Sequence, residues 1–269
     1  MFQEVSWVYP QGKNRAVTFS YDDGQRFYER VVKVLNAHGM KGTFNLCSSL
    51  VQDPAKAETY LQAEEVPQVY RGHEVAVHGV HHPYLERLAP GQVLAEVLED
   101  RRNLERIMGR PVTGMAYPYG SWNPMVLAQL QAAGIQYSRT TNATMSFPCP
   151  REWLTWHPSC HHRDALALVE PFRKQGRSLS LFYIWGHSYE FDMNHNWELL
   201  EQICDALPQD EETWYATNGE IHRYVQAVQR LVFTADQDMA YNPTDQEVWF
   251  LVNHRTLRSL PPGECVALK

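Results

Sequence analysis

The stretch AVTFSYDDGQRFYERVVKVLNAHGMKGTFNL (residues 16–46) decides the fold. Four of its first five residues are apolar or β-branched, which predicts a buried strand over residues 16–20. Residues 26–38 then place apolar side chains at helical spacing and stop before Gly39, a residue that suits the end of a helix. Residues 42–46 predict a second strand. A strand, a helix and a strand in this order indicate a parallel βαβ unit with a right-handed crossover.

The alternation of strands and helices continues along the chain. Further strands are predicted at 74–77, 113–117, 135–139, 179–185 and 213–217, and further helices at 90–108, 122–133, 197–207 and 220–231. About seven such units favour a barrel of parallel strands over an open sheet, although the pattern alone leaves closure undecided. The last segment changes to VWFLV (248–252) and the turn-like PPGE (261–264). We expect an α/β barrel over residues 1–230 and a small C-terminal β appendage, residues 231–269, packed on it.

Composition and charge disfavour several classes of partner. The 269 residues can bury one large core, and the formal net charge of -7 disfavours nucleic acid and anionic membranes. No apolar run approaches the roughly 20 residues that a membrane-spanning helix needs, and no secretory signal is visible. Five cysteines at irregular spacing indicate reduced thiols. We expect a cytoplasmic protein without nucleic-acid or membrane partners, and a homo-oligomer stays open.

Two loops that follow predicted strands carry metal-type ligands. Asp22 and Asp23 are adjacent carboxylates at the end of the first strand, where one can bind a cation while the other takes a proton. His78 and His82 follow the third strand four residues apart, a spacing common among zinc ligands. Together the loops offer one carboxylate and two imidazoles, which leaves positions open for water and substrate. The alternatives are a solvated Asp-Asp-Gly turn and a histidine-rich surface loop.

Residues 115–120 (MAYPYG) form a third loop after a predicted strand. Pro118 fixes φ and Gly120 frees it, so one interpretation is a rigid strand-to-helix turn. The functional interpretation is that the backbone N–H of Tyr119 faces the metal and helps to hold an oxyanion.

These three loops, in this order, resemble the motifs of the polysaccharide deacetylase (NodB-like) family of carbohydrate esterases. Residues 18–24 (TFSYDDG) are similar to its T-F-D-D-G motif, residues 78–83 (HGVHHP) to its histidine motif and residues 118–120 (PYG) to the end of its R-x-P-Y-G motif. The resemblance covers roughly residues 16–189. It implies a distorted (β/α) barrel of about seven strands and a metal-dependent hydrolase acting on carbon–nitrogen bonds other than peptide bonds.

The resemblance also implies a role for each motif residue. Asp23, His78 and His82 would bind one divalent cation, with zinc expected before cobalt, manganese or nickel. Asp22 would act on water as the general base, and His187, which ends an apolar strand, would act as the general acid. The alternative for His187 is a capping or core histidine.

Three departures from the family pattern put the substrate in doubt. Ala116 replaces the arginine of the third motif; Arg139, at the end of the next strand, could take over its pairing with the base, and the alternative is an unpaired surface arginine. The D-x-x-D-W motif is absent, so Trp153 or Trp156 would supply an aromatic wall, and Trp156 is placed for sugar contact. Trp185 replaces the leucine that lines the family's acetyl pocket.

The function expected is deacetylation of a saccharide, at N-acetyl groups before O-acetyl groups. Two alternatives stay open: a metal-dependent C–N hydrolase of a small non-saccharide amide, and a saccharide-binding protein that has lost turnover. The expected partner is accordingly an acetylated saccharide or a small amide. The stretch HPSCHH (157–162) could hold a second metal, although a loop at the rim of the site is the preferred interpretation.

Overall fold

The computed structural model describes residues 4–175 and 179–268. Its strands are β1 (Val5–Val8), β2 (Arg15–Asp22), β3 (Gly42–Leu46), β4 (Glu74–Val77), β5 (Gly114–Ala116), β6 (Tyr137–Arg139), β7 (Cys160–His161), β8 (Ser180–His187), β9 (Thr213–Tyr215), β10 (Val232–Phe233), β11 (Met239–Tyr241), β12 (Val248–Val252), β13 (Thr256–Leu260) and β14 (Cys265–Ala267). Its helices are α1 (Tyr28–Ala37), α2 (Ser48–Val51), α3 (Val66–Val69), α4 (Pro90–Met108), α5 (Pro124–Ala132), α6 (Ala165–Arg173), α7 (Tyr189–Met193), α8 (Glu198–Ala206) and α9 (Asn218–Gln229).

One curved sheet of parallel strands forms the body of the protein. Its strands follow the order β6-β5-β4-β3-β2-β8-β7, and β9 pairs with the first part of β2. The segment that leads into β7 returns to β6, where Trp156 forms a parallel bridge with Arg139. The sheet therefore curls almost into a closed barrel. The predicted distorted barrel of about seven parallel strands is confirmed.

Strand β2 lies at the centre of this sheet and has neighbours on both sides. All eight of its residues are buried, as expected for a parallel strand that is covered on both faces. Its last residue, Asp22, is in register with Asn45 of β3 and His187 of β8. Because parallel strands end at the same edge, the polar residues that end them are brought together there.

Helix α4 packs against the sheet and places one acidic residue inside. It starts with Pro90 at its first position and ends at Gly109, whose φ of +64° suits a helix C-cap. Its buried face consists of Val93, Val97, Asp100 and Leu104.

Within the described ranges, no helix has both the length and the apolar composition that a membrane crossing requires.

The last part of the chain forms two small antiparallel sheets. One contains β10, β11 and β14, and the other contains β12 and β13 together with β1 from the start of the chain. Ala240, Phe250, Val252, Leu260 and Leu268 fill a separate small core. The predicted β appendage is therefore present, and β1 completes one of its sheets. The domain boundary at residue 230 stays a prediction.

Candidate active site

Polar side chains predicted from the sequence gather at the edge where the parallel strands end. Asp22 ends β2, Arg139 ends β6 and His187 ends β8. His78 directly follows β4. These residues are far apart in the sequence, so the parallel topology alone brings them to one place.

The first cluster consists of Asp23, His78 and His82, whose ligand atoms face one another. Asp23 Oδ1 lies 3.6 Å from His78 Nε2 and 3.7 Å from His82 Nε2. The two Nε2 atoms are 3.1 Å apart. Tetrahedral zinc with its usual bond lengths places neighbouring ligand atoms roughly 3.3 Å apart, so the spacing fits one cation.

The histidines of this cluster are in the form that a metal needs. His78 Nδ1 lies 2.8 Å from the carbonyl oxygen of Ala116; a carbonyl only accepts, so Nδ1 carries the proton and Nε2 presents its lone pair. The backbone N–H of His78 donates to Asp100 Oδ2 at 3.0 Å, and Asp100 Oδ1 accepts from the backbone N–H of Ser48 at 2.7 Å. Burial and the neighbouring His78 lower the pKa of His82 to about 4, so its ring is neutral at neutral pH.

Each of the three predicted loops contains a residue other than glycine with a positive φ. Asp23, His82 and Tyr119 have φ of +86°, +55° and +57°. Such angles cost about 1–3 kcal/mol for a residue other than glycine and are often found at functional sites. At Asp23 the backbone N–H donates to the carbonyl oxygen of Asn45 at 2.9 Å. The turn is thus held in place by the adjacent strand.

Asp22 is buried next to the first cluster and is fixed by two donors. The buried Arg139 forms an ion pair with its Oδ2, and Asn45 Nδ2 donates to its Oδ1 at 2.8 Å. Burial opposes ionisation of Asp22, but Arg139, with smaller contributions from His78 and His187, outweighs it and lowers the pKa of the carboxyl. The contact predicted for Arg139 is therefore present, and Asp22 is held as a carboxylate.

Aromatic side chains border the site. Trp185 lies over the guanidinium of Arg139, whose Cζ is 4.5 Å from the ring centroid. Tyr119 is 55% exposed and stacks on Tyr84 with the ring centroids 4.0 Å apart. The ring of Tyr119 also meets the ring of His82 edge-on at 4.4 Å. Trp185 and Tyr119 are thus adjacent to the predicted base and metal ligands, as a contact with substrate requires.

The predicted sugar contact of Trp156 does not fit its position. Its side chain is only 1% exposed and packs edge-to-face against Trp153, Tyr137 and Tyr183, with centroids 4.9, 5.6 and 4.7 Å away. The bridge to Arg139 makes this segment part of the barrel wall, so the indole fills the interior. We correct the prediction: Trp156 is a core residue.

A second cluster lies around a carboxylate that the motifs do not include. We call it the Glu190 cluster, and it consists of Glu190, His161, His162 and His187. Glu190 Oε2 lies 2.9 Å from His161 Nε2 and 3.3 Å from His162 Nε2. Glu190 Oε1 lies 3.4 Å from His187 Nδ1. On its other side, His187 Nε2 lies 3.9 Å from Asp22 Oδ2, so His187 connects this cluster to the predicted base.

Only part of the histidine-rich stretch 157–162 therefore belongs to the Glu190 cluster. His157 Nδ1 lies 2.6 Å from Thr140 Oγ1 and is not part of the Glu190 cluster. Burial raises the pKa of the Cys160 thiol to about 12, and among the described residues neither Cys160 nor His157 belongs to a group of three ligands that could hold a metal. The structure does not assemble a metal site from His157 and Cys160.

Two residues of the site were missed by the sequence reasoning. Asn45 contacts the predicted base, but it belongs to no motif. Asp100 supports His78 from α4. A signal existed only for Asp100: the spacing of Val93, Val97, Asp100 and Leu104 places an acidic residue on the apolar face of a helix, where a charge needs a buried partner.

Comparison with known proteins supports the sequence motifs. Residues 10–138 match the polysaccharide deacetylase family model. A chitooligosaccharide deacetylase of Bradyrhizobium sp. is 32% identical over 124 residues, which are 45% of this chain and 53% of that protein. A peptidoglycan-N-acetylglucosamine deacetylase of Listeria monocytogenes is 29% identical over 136 residues, 49% of this chain and 28% of that protein. The chain thus spans about half the length of the first relative and about a quarter of the second.

Solved structures share the fold at low sequence identity. The CE4 domain of a multidomain xylanase from the hindgut metagenome of Trinervitermes trinervoides has a TM-score of 0.55 at 16% identity and covers 80% of this chain and 92% of its own. The peptidoglycan deacetylase PdaC of Bacillus subtilis, in a mutant form, has a TM-score of 0.54 at 18% identity, and the match covers 82% of this chain and 96% of that one. A CE4 family pseudoenzyme from Bacillus anthracis has a TM-score of 0.52 at 15% identity, and the match covers 81% of this chain and 68% of that one. Because a pseudoenzyme shares the fold, the fold alone does not decide turnover.

Proposed function

We propose that the chain hydrolyses acetyl groups on a saccharide, at N-acetyl before O-acetyl groups, because residues 10–138 match the polysaccharide deacetylase family model. The observation that carries this proposal is the meeting of Asp23, His78 and His82 within 3.1–3.7 Å of one another, next to a separate carboxylate, Asp22. A cation site with an adjacent ionised base is what hydrolysis by water requires.

The donor set of the first cluster fits a divalent cation. One carboxylate oxygen and two neutral imidazole nitrogens suit zinc, and cobalt, manganese or nickel also accept them. Asp23, His78 and His82 would hold the ion. When bound, it would polarise the acetyl carbonyl and lower the pKa of a nearby water.

The chain's own residues supply the proton transfers. Asp22, kept ionised by Arg139, takes a proton from the attacking water as a C–O bond forms at the acetyl carbon. His187 gives a proton to the departing nitrogen as the C–N bond breaks, so acetate and a free amine result. The backbone N–H of Tyr119 donates to the oxyanion, and Trp185 forms a wall of the acetyl pocket.

The saccharide is favoured over a small amide by the exposed aromatic surface beside the metal ligands. Tyr119 and Tyr84, 55% and 38% exposed, present stacked rings next to His82, and such rings suit the apolar faces of sugars. A small non-saccharide amide stays the alternative substrate. We also propose that the protein acts in the cytoplasm and that residues 1–230 form its catalytic unit.

The test is acetate release by the purified, metal-loaded full chain. The panel comprises N-acetylglucosamine oligomers, peptidoglycan fragments, acetylated xylan and small N-acetyl amides. We expect release from N-acetylated oligomers, loss of activity after chelation and its return with zinc. Release only from the small amides would favour the alternative substrate. No release from any substrate, with one metal bound per chain and oligosaccharide binding retained, would show a binding protein instead.

A further inference from the structure

The Glu190 cluster is a group of titratable side chains that lies beside the proposed acid. Its members come from β7 and the turn that follows it, from the end of β8 and from α7. Imidazoles around a carboxylate can bind a cation, or they can hold protons in place. The hydrogen-bond partner of the second ring nitrogen shows which of these two functions a histidine can have.

His161 presents a proton to Glu190, not a lone pair. Its Nδ1 accepts from the backbone N–H of Arg163 at 3.4 Å. A backbone N–H only donates, so the proton of the neutral ring is on Nε2. His161 Nε2 lies 2.9 Å from Glu190 Oε2, a hydrogen-bond distance. A cation bound to Nε2 would move the ring proton to Nδ1, where it would face the N–H of Arg163.

His187 meets the same carboxylate with two donors. Its backbone N–H donates to Glu190 Oε2 at 3.3 Å, and its Nδ1 lies 3.4 Å from Glu190 Oε1. With Nδ1–H on Glu190, His187 Nε2 faces Asp22, 3.9 Å from Oδ2. Both oxygens of Glu190 are thus occupied by donors, and the ring of His187 is turned toward the base.

We propose that Glu190, supported by His161, is a positioning residue that keeps a proton on His187 Nδ1 and directs His187 Nε2 to the reacting bond. The Glu190 cluster accordingly binds no second cation. This inference rests on the proposed function, in which His187 Nε2 protonates the leaving nitrogen. The neutral ring then keeps its Nδ1–H, and the proton that Asp22 took from water returns to Nε2, so each turnover leaves both groups as they began.

The charges in the cluster are consistent with this arrangement. Burial disfavours the charged ring of His187, but the hydrogen bond to Glu190 and the nearby Asp22 outweigh it and raise its pKa. Burial opposes ionisation of Glu190, yet hydrogen bonds from His161 and His187 lower its pKa. Burial and the adjacent His161 lower the pKa of His162 to about 3. His162 is therefore neutral and does not compete with His187 for a proton.

Glu190→Gln is the sharpest variant because it keeps the shape and removes one acceptor. A glutamine has one oxygen, so its NH₂ group would face a donor of either His161 or His187. Asp192→Asn is the matched control, since Asp192 is an exposed acid on the same helix, α7. We expect Glu190→Gln to lower kcat on an N-acetylated oligomer by about 10- to 100-fold with KM nearly constant. The rate with 4-nitrophenyl acetate, whose leaving group needs no proton, should change less than about twofold.

A double mutant tests whether Glu190 acts through His187. If it does, adding Glu190→Gln to His187→Ala lowers the rate on the oligomer no further. A further loss in the double mutant, equal losses on the two substrates, or an unchanged rate on the oligomer in Glu190→Gln would overturn the inference. So would two metal ions per chain in the wild type and one in Glu190→Gln. Glu190→Asp, which retains the charge, should recover part of the rate.

NMR of the ring nitrogens separates failure of this inference from failure of the proposed function. Two-bond ¹H–¹⁵N correlations of the metal-loaded protein report which nitrogen of each ring is protonated, with His187→Ala and His161→Gln used for assignment. We expect a proton on His187 Nδ1 and on His161 Nε2. A His161 ring protonated at Nδ1 instead would reject the inference whether or not acetate is released. The expected protons without acetate release from any substrate would reject only the proposed function.

Discussion

Two clusters of imidazoles and a carboxylate lie next to Asp22, and the backbone group that contacts one ring in each cluster distinguishes them. In the first cluster, the carbonyl oxygen of Ala116 lies 2.8 Å from His78 Nδ1 and leaves a lone pair on Nε2. In the Glu190 cluster, the N–H of Arg163 donates to His161 Nδ1 and leaves a proton on Nε2. The same type of side chain thus presents a lone pair in one place and a proton in the other.

The distances to the carboxylates follow this difference. Asp23 Oδ1 lies 3.6 and 3.7 Å from the two nitrogens of the first cluster, which leaves room for a cation. Glu190 Oε2 lies 2.9 Å from His161 Nε2, which is a hydrogen-bond distance and leaves no space for a cation between the two atoms. Residue types therefore do not identify a metal site until the partner of each second ring nitrogen is known.

The largest effect is expected from removing a ligand of the first cluster. His82→Ala should weaken metal binding by more than the roughly 10- to 100-fold that loss of an outer partner causes, and acetate release should fall with it. The control is His81→Ala, because His81 is exposed and its ring pairs with Glu96, outside the first cluster. Elemental analysis after dialysis measures the bound metal. Full occupancy in His82→Ala, or equal loss in both variants, would contradict the assignment.

The next effect separates the base from the metal ligands. Asp22→Asn keeps the shape of the side chain but removes the group that takes the proton, so acetate release should fall by about 10²–10⁴-fold. Metal content should stay at the wild-type level because Asp22 is not one of the ligands. Steady-state assays and elemental analysis on the same sample test both statements. A variant that loses its metal would place Asp22 in the first cluster, and one with an unchanged rate would remove it from the reaction.

The smallest effect is expected from the support behind His78. Asp100→Asn leaves one oxygen for the two backbone N–H groups of Ser48 and His78, so the new NH₂ group would face one of these donors. The N–H of His78 also donates to the carbonyl oxygen of Leu46 at 3.1 Å, so the loss is greatest if Ser48 is the donor that loses its acceptor. We expect the free energy of unfolding to fall by about 1–3 kcal/mol, as measured by urea denaturation. Metal affinity should fall by about 10-fold. Asp192→Asn again serves as the exposed control. Unchanged stability and affinity would show that Asp100 does not hold the loop of His78.

The meeting of the predicted metal ligands and the predicted base could be foreseen because each follows an apolar strand. Parallel strands end at one edge, so Asp22 and His78 had to approach each other once both strands were recognised. Arg139 was predicted for the same reason, as the last residue of the next strand. The motifs added the order of these residues along the chain and the spacing between them, and amino-acid composition contains neither.

The other contacts of the site depend on the direction in which a loop side chain points, and the sequence of a loop does not determine this direction. Trp156 was placed at the substrate because it lies near a strand end, yet the bridge to Arg139 turns it into the core. Glu190 follows His187 by three residues and contacts it because α7 begins there. His161 joins them only through the pairing of β7 with β8. Such contacts between loops come from tertiary structure.

The pairing of β1 with β12 has a consequence for how the chain is made. Val5 pairs with Val252, so β1 finds its partner only after all the residues between the two strands have been synthesised. Contacts between such distant residues form slowly. A chain cut short after the barrel would leave the edge of β1 unpaired and open to association with other chains.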